Sequence, residues 1–108
     1  MKYGITAVIV SLALFVPVAL GATTVSVKAT EFHFALSKTS VAHGRVTFKI
    51  KNAGHLKHDF KIAGKKSKMV NPGKSTSLTV TLKKGRYAYI CTVPGHAAAG
   101  MKGKLTVK

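Results

Sequence analysis

The sequence contains one cysteine, which lies close to a histidine and a methionine in a loop rich in glycine and proline. Four residues separate Cys91 from His96, and four more separate His96 from Met101. A second histidine, His58, lies upstream of this loop. One thiolate, two imidazoles and a weak axial thioether are the donors of a copper centre that exchanges single electrons. The residue types and their spacing therefore predict that these four side chains bind one metal ion.

His58 begins a short segment in which apolar and polar residues alternate. Alternate side chains of an extended chain point to the same side, so His58 shares a face with Phe60 and Ile62. Asp59 and Lys61 are predicted to lie together on the opposite, outward face. A histidine at the head of a buried row can meet a cysteine across the end of the core.

Cys91 ends a second alternating segment and is followed by a turn. It shares a face with Tyr89, so it should leave the strand pointing inward. The dipeptide Pro94-Gly95 is typical of a turn that could return His96 to the same point. Small residues at positions 97–100 would let the chain turn again and bring Met101 back.

Each donor also has an ordinary explanation when it is considered alone. A single cysteine is often a small apolar core residue, and a loop histidine needs no metal. In an exported protein, an unpaired cysteine is a free thiol, an intermolecular bridge or a metal ligand. Zinc could occupy a site of one Cys and two His, although structural zinc sites rarely include Met. The four donors together favour copper.

Other histidines and another methionine are candidates for the same metal. His33 is predicted to face outward from a strand, His43 lies in a turn, and His55 follows a glycine in a loop. His55 is the one credible rival to His58, but it lacks the strand alternation. Met69 lies in the least patterned stretch, residues 63–74, where we expect a basic connection and a methionine that fills the core or the surface.

Alternation with a period of two dominates the chain after residue 22 and predicts half-buried strands. Gly, Pro and Asn separate these segments, and no stretch shows sustained helical periodicity. Short strands with regular turns predict an all-β fold, either a two-sheet sandwich or a barrel. The alternating apolar positions are Val25, Val27 and Ala29; Phe32, Phe34 and Leu36; Val46, Phe48 and Ile50; Leu78, Val80 and Leu82; and Leu105 and Val107.

The N-terminal segment is typical of a secretory signal peptide. Lys2 precedes an almost wholly apolar run, Gly4–Leu20, so we predict a signal peptide over residues 1–21 that is cut before Ala22. The alternative is an uncleaved anchor, because a run of about 17 residues is near the lower limit for crossing a bilayer. Cleavage would leave one exported domain, residues 22–108, in the periplasm or outside the cell.

The charge of the chain is strongly positive. It has 18 Lys and Arg residues but only two acids, Glu31 and Asp59. Without Lys2, 17 basic residues and two acids remain, which gives a net charge of +15. Such a charge favours association with acidic surfaces. The lysines are scattered and no nucleic-acid motif accompanies them, so we expect acidic redox proteins as partners rather than nucleic acid.

At the predicted metal ligands, the sequence resembles the cupredoxin family of small blue copper proteins, such as plastocyanin, auracyanin and rusticyanin. The matching pieces cover most of residues 22–108 and are residues 46–54, 58–60, 82–91 and the loop 96–101. The resemblance implies a Greek-key β-sandwich of seven or eight strands. It also implies the copper ligands His58, Cys91, His96 and Met101.

The resemblance implies further contacts and also shows departures from the family pattern. Tyr87 is similar to the family's tyrosine-corner residue, and Asp59 to a residue that holds the cysteine loop through Thr92. The gap between Cys91 and His96 is longer than in plastocyanins and is more like that of auracyanin and rusticyanin. Ile90 replaces an exposed aromatic of plastocyanins, and the acidic docking patch of plant plastocyanins is absent.

These features predict a monomeric type 1 copper protein that carries single electrons and transforms no substrate. His96 is the expected exit for the electron, because small apolar residues surround it in the loop. A copper carrier or storage protein is the main alternative, and extra Met or His clusters would distinguish it. A basic adhesion or nucleic-acid-binding module is the second alternative, but it would leave the donor residues unexplained.

Overall fold

Nine β-strands and no helix make up the regular structure of residues 22–108, the part of the chain that the computed structural model describes. None of these residues therefore belongs to a helix long and apolar enough to cross a membrane. The predicted signal peptide, residues 1–21, lies outside the described residues. The strands are β1 Thr23–Thr30, β2 His33–Leu36, β3 Ser40–Val41, β4 Gly44–Asn52, β5 Lys61–Ile62, β6 Lys65–Lys66, β7 Ser75–Leu82, β8 Gly85–Ile90 and β9 Lys102–Val107.

The strands form two sheets that share one core. One sheet has the order β2-β1-β4-β7, and the other has the order β3-β9-β8-β5-β6. β1 lies parallel to β4 and β3 lies parallel to β9, whereas the other neighbours are antiparallel. The predicted all-β sandwich is therefore confirmed.

The inward residues of both sheets meet in an aromatic cluster that is centred on Phe60. The Phe60 ring lies 5.2 Å from Phe34, 5.0 Å from Phe48 and 5.3 Å from Tyr89, measured between ring centroids. All four side chains are buried. Such pairs add to the stability gained from burying apolar area, and here they join the two sheets just below the end that carries His58.

Two details of the pattern differ from the sequence prediction. Phe32 precedes β2 instead of joining its inward row, and 38% of its surface is exposed. The stretch 63–74, expected to be an unpatterned connection, contains the short strand β6, which pairs with β5, while Met69 lies at the surface, one of its two expected places, with 47% of its surface exposed. Tyr87, in contrast, donates its hydroxyl to the Lys83 carbonyl at 2.8 Å, which is the contact expected of a tyrosine corner.

Asn52, the last residue of β4, organises the loop that leads to His58. Its side chain is fully buried and donates to the carbonyl oxygens of Leu56 and Val70, each at 2.8 Å. Its side-chain oxygen accepts a hydrogen bond from the Gly54 backbone at 2.8 Å. The amide thus binds three backbone groups, and an apolar residue would leave two of them, the Leu56 carbonyl and the Gly54 amide, without this side-chain partner. The third, the Val70 carbonyl, also accepts from the His58 amide at 3.2 Å.

Replacement of Asn52 by Ala should lower the free energy of unfolding of the metal-free protein by about 2–4 kcal/mol. Each buried polar group left without a partner costs about 1–3 kcal/mol. Urea unfolding would measure the change. Ser77→Ala, on the exposed outward face of β7, is the control and should stay within about 0.5 kcal/mol of the parent. Equal stabilities for the two variants would contradict the assigned role of Asn52.

Candidate metal centre

Three of the four predicted ligands meet at one end of the sandwich. Cys91 Sγ lies 3.7 Å from His96 Nδ1 and 3.9 Å from His58 Nδ1, and the two Nδ1 atoms are 3.2 Å apart. All three residues are buried. They form the one group of three potential metal ligands of the His, Cys and acidic types among residues 22–108.

The spacing of these donor atoms fits a single metal ion. A triangle with sides of 3.2, 3.7 and 3.9 Å has a centre about 2.1 Å from each corner, and metal bonds to His nitrogen and Cys sulfur are about 2.0–2.3 Å long. A trigonal set of two imidazoles and one thiolate is the arrangement that copper adopts in electron-transfer sites. The geometry and the chemistry of the donors therefore both fit copper.

The backbone of the loop after β8 holds the other donors close to Cys91. The Cys91 amide donates to the Met101 carbonyl at 3.1 Å, and the Met101 amide donates to the His96 carbonyl at 3.0 Å. The His96 amide in turn donates to Val93 at 3.0 Å. The Met101 side chain is fully buried. The loop therefore returns Met101 to Cys91, as the two turns in the sequence predicted.

Asp59 does not lie on the outward face, and this part of the prediction was wrong. Asp59 is only 1% exposed. Its carboxylate accepts hydrogen bonds from the Thr92 amide at 2.7 Å and from the Thr92 hydroxyl at 2.5 Å. Strand alternation does not apply here, since β5 begins at Lys61 and His58 forms only an isolated bridge with Val70. The tie between Asp59 and Thr92 that the family resemblance implied is present.

Glu31 is a further residue of the site that sequence reasoning missed. Its carboxylate accepts a hydrogen bond from His58 Nε2 at 2.6 Å, on the side of the ring away from Cys91. The backbone amides of His55 and Leu56 also donate to it, at 2.8 and 3.2 Å. These hydrogen bonds, that from His55 first and that from His58 second, lower the pKa of Glu31 to about 2. The carboxylate is therefore charged at neutral pH.

The pKa of the Cys91 thiol is shifted upward, opposite to that of Glu31. Burial raises the pKa of the Cys91 thiol, and the nearby Asp59 carboxylate adds to the rise, although hydrogen bonds with the backbone of Asp59 and Val93 partly offset it. Because metals bind the thiolate, metal binding must displace the Cys91 proton.

The rival candidates from the sequence lie elsewhere. His33, His43 and His55 are all exposed, as predicted. His43 Nδ1 contacts the carbonyl of Lys108 at 2.9 Å, and His55 contributes its backbone amide to Glu31. Met69 is exposed. Of His58 and His55, the two candidates for the first histidine ligand, His58 is the one that lies beside Cys91.

The surface over His96 is largely apolar. The His96 residue is 8% exposed, and Pro94, Gly95, Ala98 and Ala99 around it are exposed. The Phe32 ring packs edge-on against the His96 ring, with centroids 4.9 Å apart. Phe32 thus extends the apolar surface that the sequence predicted from the loop alone.

Comparison with known sequences connects this site to one family. The sequence model of the copper binding proteins of the plastocyanin/azurin family matches residues 18–108. Over 40 residues the chain is 60% identical to Auracyanin-B of Chloroflexus aurantiacus. This match covers 36% of the present chain and 17% of Auracyanin-B. Over 54 residues the chain is 46% identical to the copper-resistant cuproprotein CopI of Pseudomonas aeruginosa. This second match covers 49% of the present chain and 28% of CopI. The matches span less than a third of either relative.

The fold is also similar to that of a solved copper protein. Auracyanin A, described as a blue copper protein from the green thermophilic photosynthetic bacterium Chloroflexus aurantiacus, superposes with a TM-score of 0.68 at 26% identity. The similarity covers 82% of this chain and 100% of that one. The two chains therefore share their fold over most of their length.

Proposed function

Because the chain belongs to the plastocyanin/azurin family of copper-binding proteins, we propose that it carries single electrons between redox proteins outside the cytoplasm. Its cofactor is one type 1 copper ion, and, like the electron carriers of this family, it is not an enzyme. The observation that best supports electron transfer is the triangle of one thiolate and two imidazoles, held at bonding distance from a common centre.

We assign the copper to His58, Cys91 and His96, with Met101 as the weak axial donor. The bound ion supplies a one-electron couple between Cu(I) and Cu(II). The protein supplies donors whose positions are fixed by buried packing and by the hydrogen bonds of the loop. Donors that are already in place need little rearrangement when the charge at the centre changes, and this favours fast electron transfer.

His96 is the proposed exit for the electron. It is the donor residue with the largest exposed fraction, 8%, whereas His58 and Met101 are fully buried and Cys91 is 1% exposed. The apolar rim formed by Pro94, Ala98 and Phe32 would let a partner approach the ring without displacing tightly bound water.

The proposed partners have acidic docking surfaces. All 17 Lys and Arg residues in the range 22–108 are exposed, whereas Glu31 and Asp59 are engaged at the metal site. A surface of one sign raises the rate at which oppositely charged partners are met. The predicted export of residues 22–108 would bring the site to redox proteins outside the cytoplasm.

A copper carrier or storage protein remains the second candidate, because one relative is a copper-resistant cuproprotein. Such a protein must release its ion, and exposed Met or His residues would assist by capturing the ion stepwise. Met69 is the one exposed methionine of residues 22–108, and the three donors are buried. Slow transfer of copper to an apo-acceptor and fast electron transfer to a redox partner would favour the electron carrier. Fast copper transfer and slow electron transfer would favour the copper carrier.

The purified protein should turn intensely blue or green when it receives one equivalent of Cu(II), because charge transfer from the Cys91 thiolate to copper absorbs visible light. A visible absorbance spectrum tests this. The variant Cys91→Ser should remain colourless or pale. A pale wild-type protein, or strong colour in the variant, would contradict the proposed copper site.

Met101 should tune the reduction potential without being essential for capture of the metal, because an axial thioether is a weak and long contact. Met101→Leu should raise the potential and Met101→Gln should lower it, and voltammetry of the copper-loaded variants measures both shifts. Complete loss of copper from both variants, or unchanged potentials in both, would show that Met101 is not a weak axial donor.

Electron transfer to an acidic cytochrome should slow as salt is added, whereas transfer to a basic cytochrome should become faster. Salt screens charges beyond about 8 Å near physiological ionic strength, so it removes both the attraction and the repulsion. Stopped-flow oxidation of the Cu(I) protein across a salt series measures both slopes, and equal slopes would exclude steering by this surface.

The same measurement can locate the exit. Ala98→Glu, which places a charged side chain in the rim beside His96, should slow transfer to the acidic cytochrome and leave the colour intact. Thr81→Glu makes the same change of net charge on the exposed face of β7, and its smaller effect is the control. Equal rates for the two variants would argue that electrons leave elsewhere.

A further inference from the structure

We propose that Glu31 is a positioning residue of the metal centre, which fixes His58 with Nδ1 toward the metal and lowers the reduction potential of the bound ion. The inference rests on the proposed function only for the effect on the potential. The effect on the His58 ring can be tested with any metal that the site accepts.

The contact with Glu31 determines which nitrogen of His58 can bind a metal. A neutral imidazole carries one proton on its two nitrogens. Glu31 lies 2.6 Å from Nε2, so the proton is held there as a donor to the carboxylate. Nδ1, which points to Cys91 and His96 at 3.9 and 3.2 Å, is left with a free lone pair. Glu31 thereby selects the tautomer that the triangle of donors requires.

The carboxylate is itself held in place before a metal arrives. Glu31 follows the end of β1, and the loop of residues 53–57 follows the end of β4, the parallel neighbour of β1. Backbone amides of His55 and Leu56 donate to the two carboxylate oxygens. A Cβ at Gly54 would collide with the same carboxylate. The loop thus forms a close-fitting cradle around Glu31, and a glycine at position 54 is needed for it.

A charged partner on His58 should stabilise Cu(II) more than Cu(I), because the oxidised ion carries the greater positive charge. Partners of this kind orient the ring and raise its basicity, and their loss typically weakens metal binding 10–100-fold. We expect the loss of affinity on removing the Glu31 charge to be about tenfold greater for Cu(II) than for Cu(I). A tenfold difference in a one-electron couple corresponds to about 59 mV, and the potential should rise by that amount.

The primary experiment measures the reduction potential of copper-loaded Glu31→Gln by voltammetry. The Gln amide oxygen can still accept the Nε2 proton, whereas the charge is lost. Thr81→Lys is the matched control, because it makes the same change in net charge far from the metal centre. Thr81 lies on the exposed face of β7, opposite Arg45. That position is about 20 Å along the strands from Asn52, where β4 ends next to the loop that binds Glu31. We expect a rise of about 59 mV for Glu31→Gln and no shift for Thr81→Lys. Unchanged potentials, or equal shifts in the two variants, would overturn the proposal.

Gly54→Ala provides a second variant if Glu31→Gln does not fold. It keeps every charge and, through the added methyl group, forces the carboxylate away from its present position. Its potential should also rise, and a potential equal to that of the wild-type protein would count against the proposal.

A spectroscopic measurement with zinc separates this proposal from the proposed function. In the Zn(II)-loaded full chain, the His58 Nε2 proton should appear far downfield and exchange slowly in ¹H–¹⁵N NMR, because it is buried against a carboxylate. In Glu31→Gln it should move upfield and exchange faster. Absence of this proton from the wild-type spectrum would refute the positioning role. A wild-type protein that shows the proton but stays colourless with Cu(II) would refute the copper function alone.

Discussion

The shape of the metal centre depends on the hydrogen bonds between Asp59 and Thr92. A carboxylate that is 1% exposed must be fully hydrogen-bonded, because an unpartnered charge in the protein interior is very costly. Thr92 meets that requirement with its backbone amide and its hydroxyl. His58 immediately precedes Asp59, and Cys91 immediately precedes Thr92. Together with the pairing of β5 with β8, these two hydrogen bonds therefore hold His58, in the connection from β4 to β5, close to Cys91, in the loop after β8.

The rest of the site follows from this fixed pair. The hydrogen bonds among Cys91, Met101 and His96 attach the third donor to the second, and the aromatic cluster around Phe60 supports the segment that carries the first. These contacts and the burial of the donors hold in place the residues that would bind the copper ion.

Much of this arrangement was predictable from the sequence, since alternation and turn chemistry are local properties. They placed Cys91 inward at the end of β8 and His58 on the buried side, and both positions are confirmed. Alternation failed at Asp59 because residues 58–60 do not belong to a strand. Glu31 could not be found in this way: it reaches His58 across 27 residues of sequence. Only the parallel pairing of β1 with β4 brings the two together, and no local pattern specifies that pairing.

Because Glu31 and Asp59 are both bound at the metal site, the positive charge of the surface is left unbalanced, and this affects how two copies of the protein interact. Every Lys and Arg of the range 22–108 faces solvent, whereas Asp59 is buried and Glu31 is bound by its loop. The net positive charge of this range therefore makes two copies of the protein repel one another. Self-exchange should be slow at low ionic strength. With the acidic partners proposed above, the same charge would speed electron transfer to a partner and slow it between two copies of this protein.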